Sequence, residues 1–213
     1  PINRPYLIPP GGSSPLGNLG YVSAALELAE QVRAGQMPRP DYVFVPAGSL
    51  GTLAGLVVGF ALARLETWVV GVAVLGPPSV TTDRAGRMAR RVRNRLIEAS
   101  PDVRRIGAGF DRFRLRFGAL GRGYGHATPE GAEAAQRLAA IEDIQLDTTY
   151  TAKAMAGMLA HVAQPSFRGK TVLFWHTLNR AAPAEDRAAL AAVRLPAPLG
   201  ARVANAERRS FPD

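Results

Sequence analysis

The chain has 213 residues, of which 47% are hydrophobic, so it is long and apolar enough for a packed domain and does not resemble a disordered chain. The absence of cysteine excludes disulfides and cysteine-ligated metal, and the absence of an apolar run of about 18 residues predicts no transmembrane segment. The formal net charge is +9, and half of the 24 arginines lie between Arg84 and Arg122. Either a polyanion-binding surface or a solvated helix face explains this cluster. We favour the solvated face and do not expect nucleic-acid binding, because the region lacks regularly interleaved aromatic residues.

The first predicted elements are a helix and a buried strand. Tyr6–Ile8 forms at most a short strand between prolines. Apolar residues then recur at helical spacing from Val22 to Val32, and Gly35 is a natural helix stop. The run Tyr42–Val45, which is β-branched and aromatic, is typical of a strand buried on both faces.

A turn rich in small residues follows that strand and leads into a second apolar helix. The turn contains Gly48, Ser49, Leu50, Gly51 and Thr52. Strand, turn and helix in this order direct backbone N–H groups and the positive end of the helix dipole at one point, which suits a phosphate. The turn lacks the endings of a Walker A loop and of a dinucleotide fingerprint. An ordinary strand-to-helix turn therefore remains the alternative to phosphate binding.

The remaining chain continues the alternation of strands and helices. We predict a buried strand over Thr67–Leu75 and a helix that Thr82 or Asp83 caps and that ends near Ala99. The later predicted elements are a half-exposed strand around Phe113–Phe117, a loop over Gly118–Gly125, a helix that begins at Thr128–Pro129, a very short strand at Ile144 and Leu146, a helix over Thr151–Val162, a strand over Thr171–Trp175 and a short helix from Pro183.

This order predicts an α/β fold: a three-layer, open, mainly parallel sheet with helices on both faces. Ligands of such sheets bind beyond the carboxyl ends of the strands. We therefore expect three segments to converge there, namely the turn Gly48–Thr52, the loop at Tyr124 and the segment His176–Asn179. The histidines are His126, His161 and His176, and none has metal-ligand spacing, so we predict no metal.

Four stretches of the chain together resemble one enzyme family. They are PYLIPPGGSSPLGNLGYVSAALELAEQ, AGSLGTLAGLVVG, GYGHATPEG and DTTYTAKAMAGML, with FWHT as a shorter fifth, and they span about residues 5–177. In order and spacing they resemble the pyridoxal-phosphate enzymes of fold type II, specifically the group of D-cysteine desulfhydrase and 1-aminocyclopropane-1-carboxylate deaminase.

The resemblance implies roles for particular residues. It implies that Gly48–Thr52 holds the phosphate of pyridoxal 5'-phosphate, and that Tyr124 and Tyr150 face the cofactor and substrate as catalytic residues. A phenol with a lowered pKa can transfer a proton near a reacting carbon, whereas two half-buried packing tyrosines are the alternative. The resemblance places Thr151 near the pyridine nitrogen and Thr177 beside the ring.

The chain departs from the family pattern at several points: Leu50 and Leu53 make the phosphate turn bulkier than usual, and two further differences concern the last strand and the cofactor lysine. His176-Thr177 continues as Leu178-Asn179 where the family usually has two glycines. The family also attaches its cofactor to a lysine in an earlier segment than any matched here, and neither Lys153 nor Lys170 is in that position. We therefore expect the chain to be the C-terminal part of a longer enzyme.

The expected activity is that of a lyase or deaminase on a small amino acid, releasing a 2-oxo acid and ammonia. On this reading residues 1–16 link to a missing smaller domain, residues 17–195 form the domain that binds the cofactor phosphate, and residues 196–213 are a loosely held tail. The resemblance also implies a homodimer, and cysteine usage fits a cytoplasmic protein. The alternative is a non-catalytic α/β module that binds a phosphorylated small molecule or a protein partner.

Overall fold

The computed structural model describes residues 7–105 and 109–177, all within one compact unit. Its helices are α1 (Leu19–Arg33), α2 (Gly51–Leu62), α3 (Thr82–Ala99), α4 (Pro129–Glu142) and α5 (Thr151–Val162). Its strands are β1 (Tyr42–Ala47), β2 (Trp68–Ala73), β3 (Phe113–Arg116) and β4 (Val172–Phe174), and short 3-10 turns occur at Pro10–Gly12, Pro101–Arg105 and Pro165–Phe167.

The strands form a parallel sheet, as predicted, and their order is β3-β2-β1-β4. Strand β1 is central, with Val43 beside Val69 of β2 and Leu173 of β4. Both neighbours are parallel to β1, so the carboxyl ends of the described strands lie at one edge of the sheet. The turns that follow β1 and β2 therefore open on the same side.

Alternate residues of the strands face two helical layers, which confirms the predicted three-layer α/β fold. Val43, Val45 and Val69 pack with α1 and α2 on one face. Phe44 and Val70 pack with Ala154 of α5 on the other face. Helix α3 packs against α2, and α4 packs against α5. The continuous apolar runs in β1 and β2 thus reflect burial on both faces.

Helix α2 is buried on all sides, which explains why its sequence is apolar all round. Glycines at every fourth position allow α1 to approach closely: a Cβ on Gly55 would lie 2.5 Å from Tyr21 Cβ, and one on Gly59 would lie 2.5 Å from Ala25 Cβ. On the other side, Gly71 of β2 leaves room for Leu53. This packing fixes the position of the α2 N-terminus relative to the sheet.

Two local predictions are corrected by the structure. Thr81, rather than Thr82 or Asp83, caps α3, because its hydroxyl accepts a hydrogen bond from the Arg84 amide at 3.2 Å. Ile144 and Leu146 do not form a strand, because both lie in an irregular segment between α4 and α5. Leu7 and Ile8 are also irregular, while Tyr6 and the helix predicted from Pro183 lie outside the described residues.

None of the helices in residues 7–105 and 109–177 combines the length and the hydropathy that crossing a bilayer requires. In the same residues, no three His, Asp or Glu side chains are grouped closely enough to hold a metal ion.

Candidate functional site

A cavity of about 660 Å³ opens beyond the carboxyl ends of the strands, where the sheet topology predicts a ligand site. Its walls include the turn after β1, the turn after β2 and the loop before α4. The predicted site residues that line it are Gly48, Ser49, Leu50, Gly51, Thr52, Tyr124, Tyr150 and Thr177. The turn Gly48–Thr52, the loop at Tyr124 and the last-strand segment, through Thr177, therefore meet at this cavity as expected. Leu178 and Asn179 lie outside the described residues.

The turn Gly48–Thr52 ends in a helix N-terminus without a side-chain cap. Leu50 occupies the N-cap position and cannot accept a hydrogen bond through its side chain. The first helical hydrogen bond of α2 runs from the Ala54 amide to the Leu50 carbonyl at 3.0 Å. The amides of Gly51, Thr52 and Leu53 precede it, so they have no acceptor within the helix.

Three helices have caps where α2 has none, whereas α1, like α2, begins without a side-chain cap. Thr81 caps α3, and the Thr128 hydroxyl accepts from the Gly131 amide at 3.1 Å to cap α4. The Asp147 carboxylate accepts from the amides that begin α5. Because a bare N-terminus attracts negative charge, the uncapped α2 terminus facing a cavity favours an anion there.

The backbone of the turn is strained and closely packed. Leu50 has φ of 71°, a left-handed conformation that is unfavourable for a residue with a Cβ, and its side chain is 2% exposed in the core. A Cβ on Gly51 would lie 2.4 Å from Ser13 Oγ and 2.5 Å from Asn18 Oδ1. The turn therefore needs glycine at position 51, and burial of Leu50 offsets the backbone strain.

The segment before α1 covers the turn. Ser13 Oγ donates a hydrogen bond to Ser49 Oγ at 2.6 Å. Asn18 is 3% exposed, and its Nδ2 has no hydrogen-bond partner among the described residues. An unpaired buried donor beside an uncapped helix is consistent with a site made for an anionic group.

Tyr124 and Tyr150 meet at the wall of the cavity. Their hydroxyl oxygens are 2.5 Å apart, and their rings contact edge to face with centroids 5.7 Å apart. Burial, together with the hydrogen bond between its hydroxyl and that of Tyr124, raises the pKa of Tyr150 to about 12. Tyr150 is therefore protonated at neutral pH, and it is suited to donating a proton or a hydrogen bond rather than to acting as a base.

Thr151 is the predicted site residue that does not line the cavity. It is fully buried, and its hydroxyl donates to the Asp147 carboxylate at 2.6 Å. Burial raises the pKa of the Asp147 carboxyl, but hydrogen bonds from the Thr151 hydroxyl and from the Thr151, Tyr150 and Thr149 amides outweigh this effect and lower the pKa overall. Asp147 thus fixes the first turn of α5, including Tyr150.

The structure adds cavity residues that the sequence did not reveal. The most informative are Ser79 and Arg84 from the turn after β2 and the start of α3. Arg84 is the one arginine, lysine or carboxylate among the described cavity residues. Ligands of parallel sheets bind beyond the carboxyl ends of the strands. Considering the end of β2 as well as the end of β1 would have predicted that Ser79 and Arg84 lie at the site.

The comparisons with known proteins agree with the fold and the cavity. The chain belongs to the family of pyridoxal-phosphate-dependent enzymes, whose model matches residues 2–177. It is similar to D-cysteine desulfhydrase of Klebsiella pneumoniae, with 36% identity over 176 residues, 82% of this chain and 50% of that protein. It is also similar to a crystal structure titled as an ACC deaminase homologue, with 33% identity, a TM-score of 0.66, and coverage of 82% of this chain and 49% of that one. The chain spans about half the length of these relatives.

Pyridoxal phosphate is the cofactor of the family, and the site residues fit its phosphate. The α2 terminus supplies amides with no acceptor in the helix, and Ser49 and Thr52 line the cavity and carry hydroxyl groups. The absence of a side chain at Gly51 lets Ser13 and Asn18 pack against the turn.

Proposed function

We propose that this chain is the cofactor-phosphate-binding part of a pyridoxal-phosphate-dependent lyase or deaminase that acts on a small amino acid and releases a 2-oxo acid and ammonia. The observation that carries the proposal is one cavity that combines the uncapped α2 terminus with the tyrosine pair. Similarity to D-cysteine desulfhydrase and to an ACC deaminase homologue supports the substrate class.

In this proposal the turn Gly48–Thr52 binds the phosphate through backbone amides. The dipole of α2 and the guanidinium of Arg84 add positive potential to the same cavity. When bound, pyridoxal phosphate supplies an electron sink for the substrate carbon that loses a proton. Thr177 lies in the wall of the cavity and is proposed to contact the cofactor ring.

The tyrosine pair is proposed to serve the substrate. A protonated Tyr150, hydrogen-bonded to Tyr124, can donate to a substrate carboxylate or return a proton to carbon. The placement of Thr151 near the pyridine nitrogen stays a prediction, and its bond to Asp147 gives it a separate role in fixing α5.

Neither lysine of the chain is placed to attach the cofactor. Lys153 Nζ is bound to loop carbonyls, and Lys170 lies just before β4, at the opposite end of the strand from Thr177. We therefore propose that the attaching lysine belongs to polypeptide outside these 213 residues, as would the smaller domain. A homodimer in the cytoplasm is part of the same proposal.

Covalent trapping tests the proposal. The 213-residue chain, and a chain extended through the natural reading frame upstream of Pro1, are incubated with pyridoxal phosphate, reduced with borohydride and digested for mass spectrometry. We expect the cofactor on a lysine of the extension. Specific attachment to Lys153 or Lys170, or none in either chain, would contradict the proposal.

A second candidate is a non-catalytic module that binds a phosphorylated small molecule. The positions of Lys153 and Lys170 favour it, since a phosphate site without an attaching lysine binds without catalysing. A reading frame that starts near Pro1, together with reversible binding of pyridoxal phosphate, would support this candidate over the enzyme.

A further inference from the structure

Lys153 is a fully buried ammonium in a chain that has only two lysines. It lies in the first turn of α5, three residues after Tyr150. Isolated buried charges are costly, so a buried lysine needs hydrogen-bond acceptors.

The acceptors come from the loop before α4. Lys153 Nζ donates to the Leu120 carbonyl at 2.9 Å and to the Gly123 carbonyl at 2.8 Å. No carboxylate is paired with the ammonium among the described ion pairs. The cation therefore binds backbone dipoles of one loop, and that loop leads directly into Tyr124.

The loop has a backbone that depends on glycine. Gly121 and Gly123 have φ of 61° and 131°, conformations that disfavour other residues. A Cβ on Gly121 would lie 2.4 Å from Thr128 Cγ2. The backbone hydrogen bonds that the loop makes are long, at 3.3 Å from the Gly123 amide to the Leu120 carbonyl and 3.4 Å from the His126 amide to the Gly123 carbonyl. The two shorter, charge-assisted hydrogen bonds from Lys153 are therefore a large share of what holds it.

We propose that Lys153 is the positioning residue of the tyrosine pair. Its ammonium holds the loop 120–123 against α5, and this keeps the Tyr124 hydroxyl in contact with the Tyr150 hydroxyl at the cavity wall. Both residues of the pair are then held by side chains at or just before the start of α5: Asp147 fixes Tyr150, and Lys153 fixes the loop that carries Tyr124. The relevance of this clamp to catalysis rests on the proposed function, but the clamp itself does not.

The test compares Lys153→Met with Lys170→Met in the cofactor-free chain. Lys170 is exposed, so its variant is a matched control. Arg122 lies within the clamped loop and is exposed, so trypsin cleavage after Arg122, followed by mass spectrometry, reports loop opening. We expect this cleavage to become at least about tenfold faster in Lys153→Met and unchanged in Lys170→Met.

A second measurement separates positioning from general stability. Nuclear Overhauser contacts between the Tyr124 and Tyr150 rings are expected in the wild type and in Lys170→Met, and are expected to be lost in folded Lys153→Met. If Lys153→Met does not fold, Lys153→Gln, which keeps a shorter donor, takes its place and is expected to weaken the ring contacts.

Unchanged Arg122 cleavage and unchanged ring contacts in a folded Lys153 variant would overturn the proposal, even if its free energy of unfolding fell. Failure of the chain to bind pyridoxal phosphate would contradict the proposed function and leave both of these measurements valid.

Discussion

The turn Gly48–Thr52 and the tyrosine pair line the same cavity, but the chain builds them in different ways. The turn is five consecutive residues, and the groups that we propose bind phosphate are its backbone amides at the start of α2. The tyrosine pair joins residues 26 positions apart. Its position depends on two other residues, Asp147 and Lys153. A backbone site is sensitive to added volume, whereas a side-chain site is sensitive to lost hydrogen bonds.

The largest effect is expected from adding a side chain to the turn. Gly51→Val would push Ser13 and the buried Asn18 away and displace the amides of the turn. Losing two hydrogen bonds to a charged group, each of about 1.5–3 kcal/mol, would weaken pyridoxal-phosphate binding by roughly a hundredfold or more. The measurement is a fluorescence titration with the cofactor.

Gly20→Val is the matched control for this change, because Gly20 is an exposed helical glycine with open space around its Cβ position. It is expected to bind as the wild type does. Wild-type affinity in folded Gly51→Val would show that the turn does not hold the phosphate.

Removing the Asp147 carboxylate tests how the tyrosine pair is held in place. Asp147→Ala leaves the first amides of α5 without their acceptor and is expected to cost about 1–2 kcal/mol of stability at pH 7. Since the folded-state pKa of Asp147 is lowered, its stabilisation is present above the ordinary pKa and is lost as pH falls through the folded value.

The stability difference between wild type and Asp147→Ala should therefore shrink below about pH 4. Urea denaturation from pH 7 to pH 3 measures it. Glu133→Ala, at an exposed position of α4, is the control and should show no such dependence. A difference that stays constant with pH would exclude the charged cap.

The hydrogen bond within the tyrosine pair predicts a smaller, spectroscopic effect. The pKa of Tyr150 is raised to about 12 by burial and by its bond to Tyr124. Tyr124→Phe removes the bond and should lower the pKa of Tyr150 toward 10, while burial keeps it above that value. Nuclear magnetic resonance of ring-labelled tyrosine up to pH 11.5 measures the ionisation, and an unchanged Tyr150 titration would show that the two hydroxyls do not interact.

The smallest effect is expected from Arg84, which is exposed at the cavity wall. Arg84→Ala should weaken binding of pyridoxal phosphate by about fivefold, the size of a partly screened charge contact of about 1 kcal/mol. Binding of pyridoxal, which has no phosphate, should not change. Arg87→Ala, on the same helix but outside the cavity wall, is the control; equal losses in both variants would indicate a long-range charge effect only.

The difference between the two regions also explains what the sequence could predict. The parallel α/β fold, the buried strands and the turn Gly48–Thr52 follow from periodicity and from adjacent residues. The structure confirms the fold, and phosphate binding at the turn stays a prediction. Lys153 acts through contacts 30 and 33 positions away in the sequence, whereas Asp147 bonds to residues two to four positions away. No local pattern marks them, because an aspartate before a helix and a lysine within one are common.

The local predictions that the structure corrects also have physical explanations. Thr81 competes with Thr82 and Asp83 for one cap, and propensity does not distinguish neighbouring candidates. Ile144 and Leu146 alternate like a strand but lie in the segment between α4 and α5 and pair with no strand among the described residues. Leu50 fits the turn only because its side chain is buried, which tertiary packing decides.

The most direct test of the central claim is a ¹⁵N–¹H titration of the 213-residue chain with pyridoxal phosphate. The account predicts saturable shifts of the amides of Ser49, Leu50, Gly51 and Thr52, absent with pyridoxal and reversed by competing inorganic phosphate. Shifts confined to the exposed arginines of α3, or no shift of the turn amides at millimolar cofactor, would contradict the claim that this turn binds the phosphate.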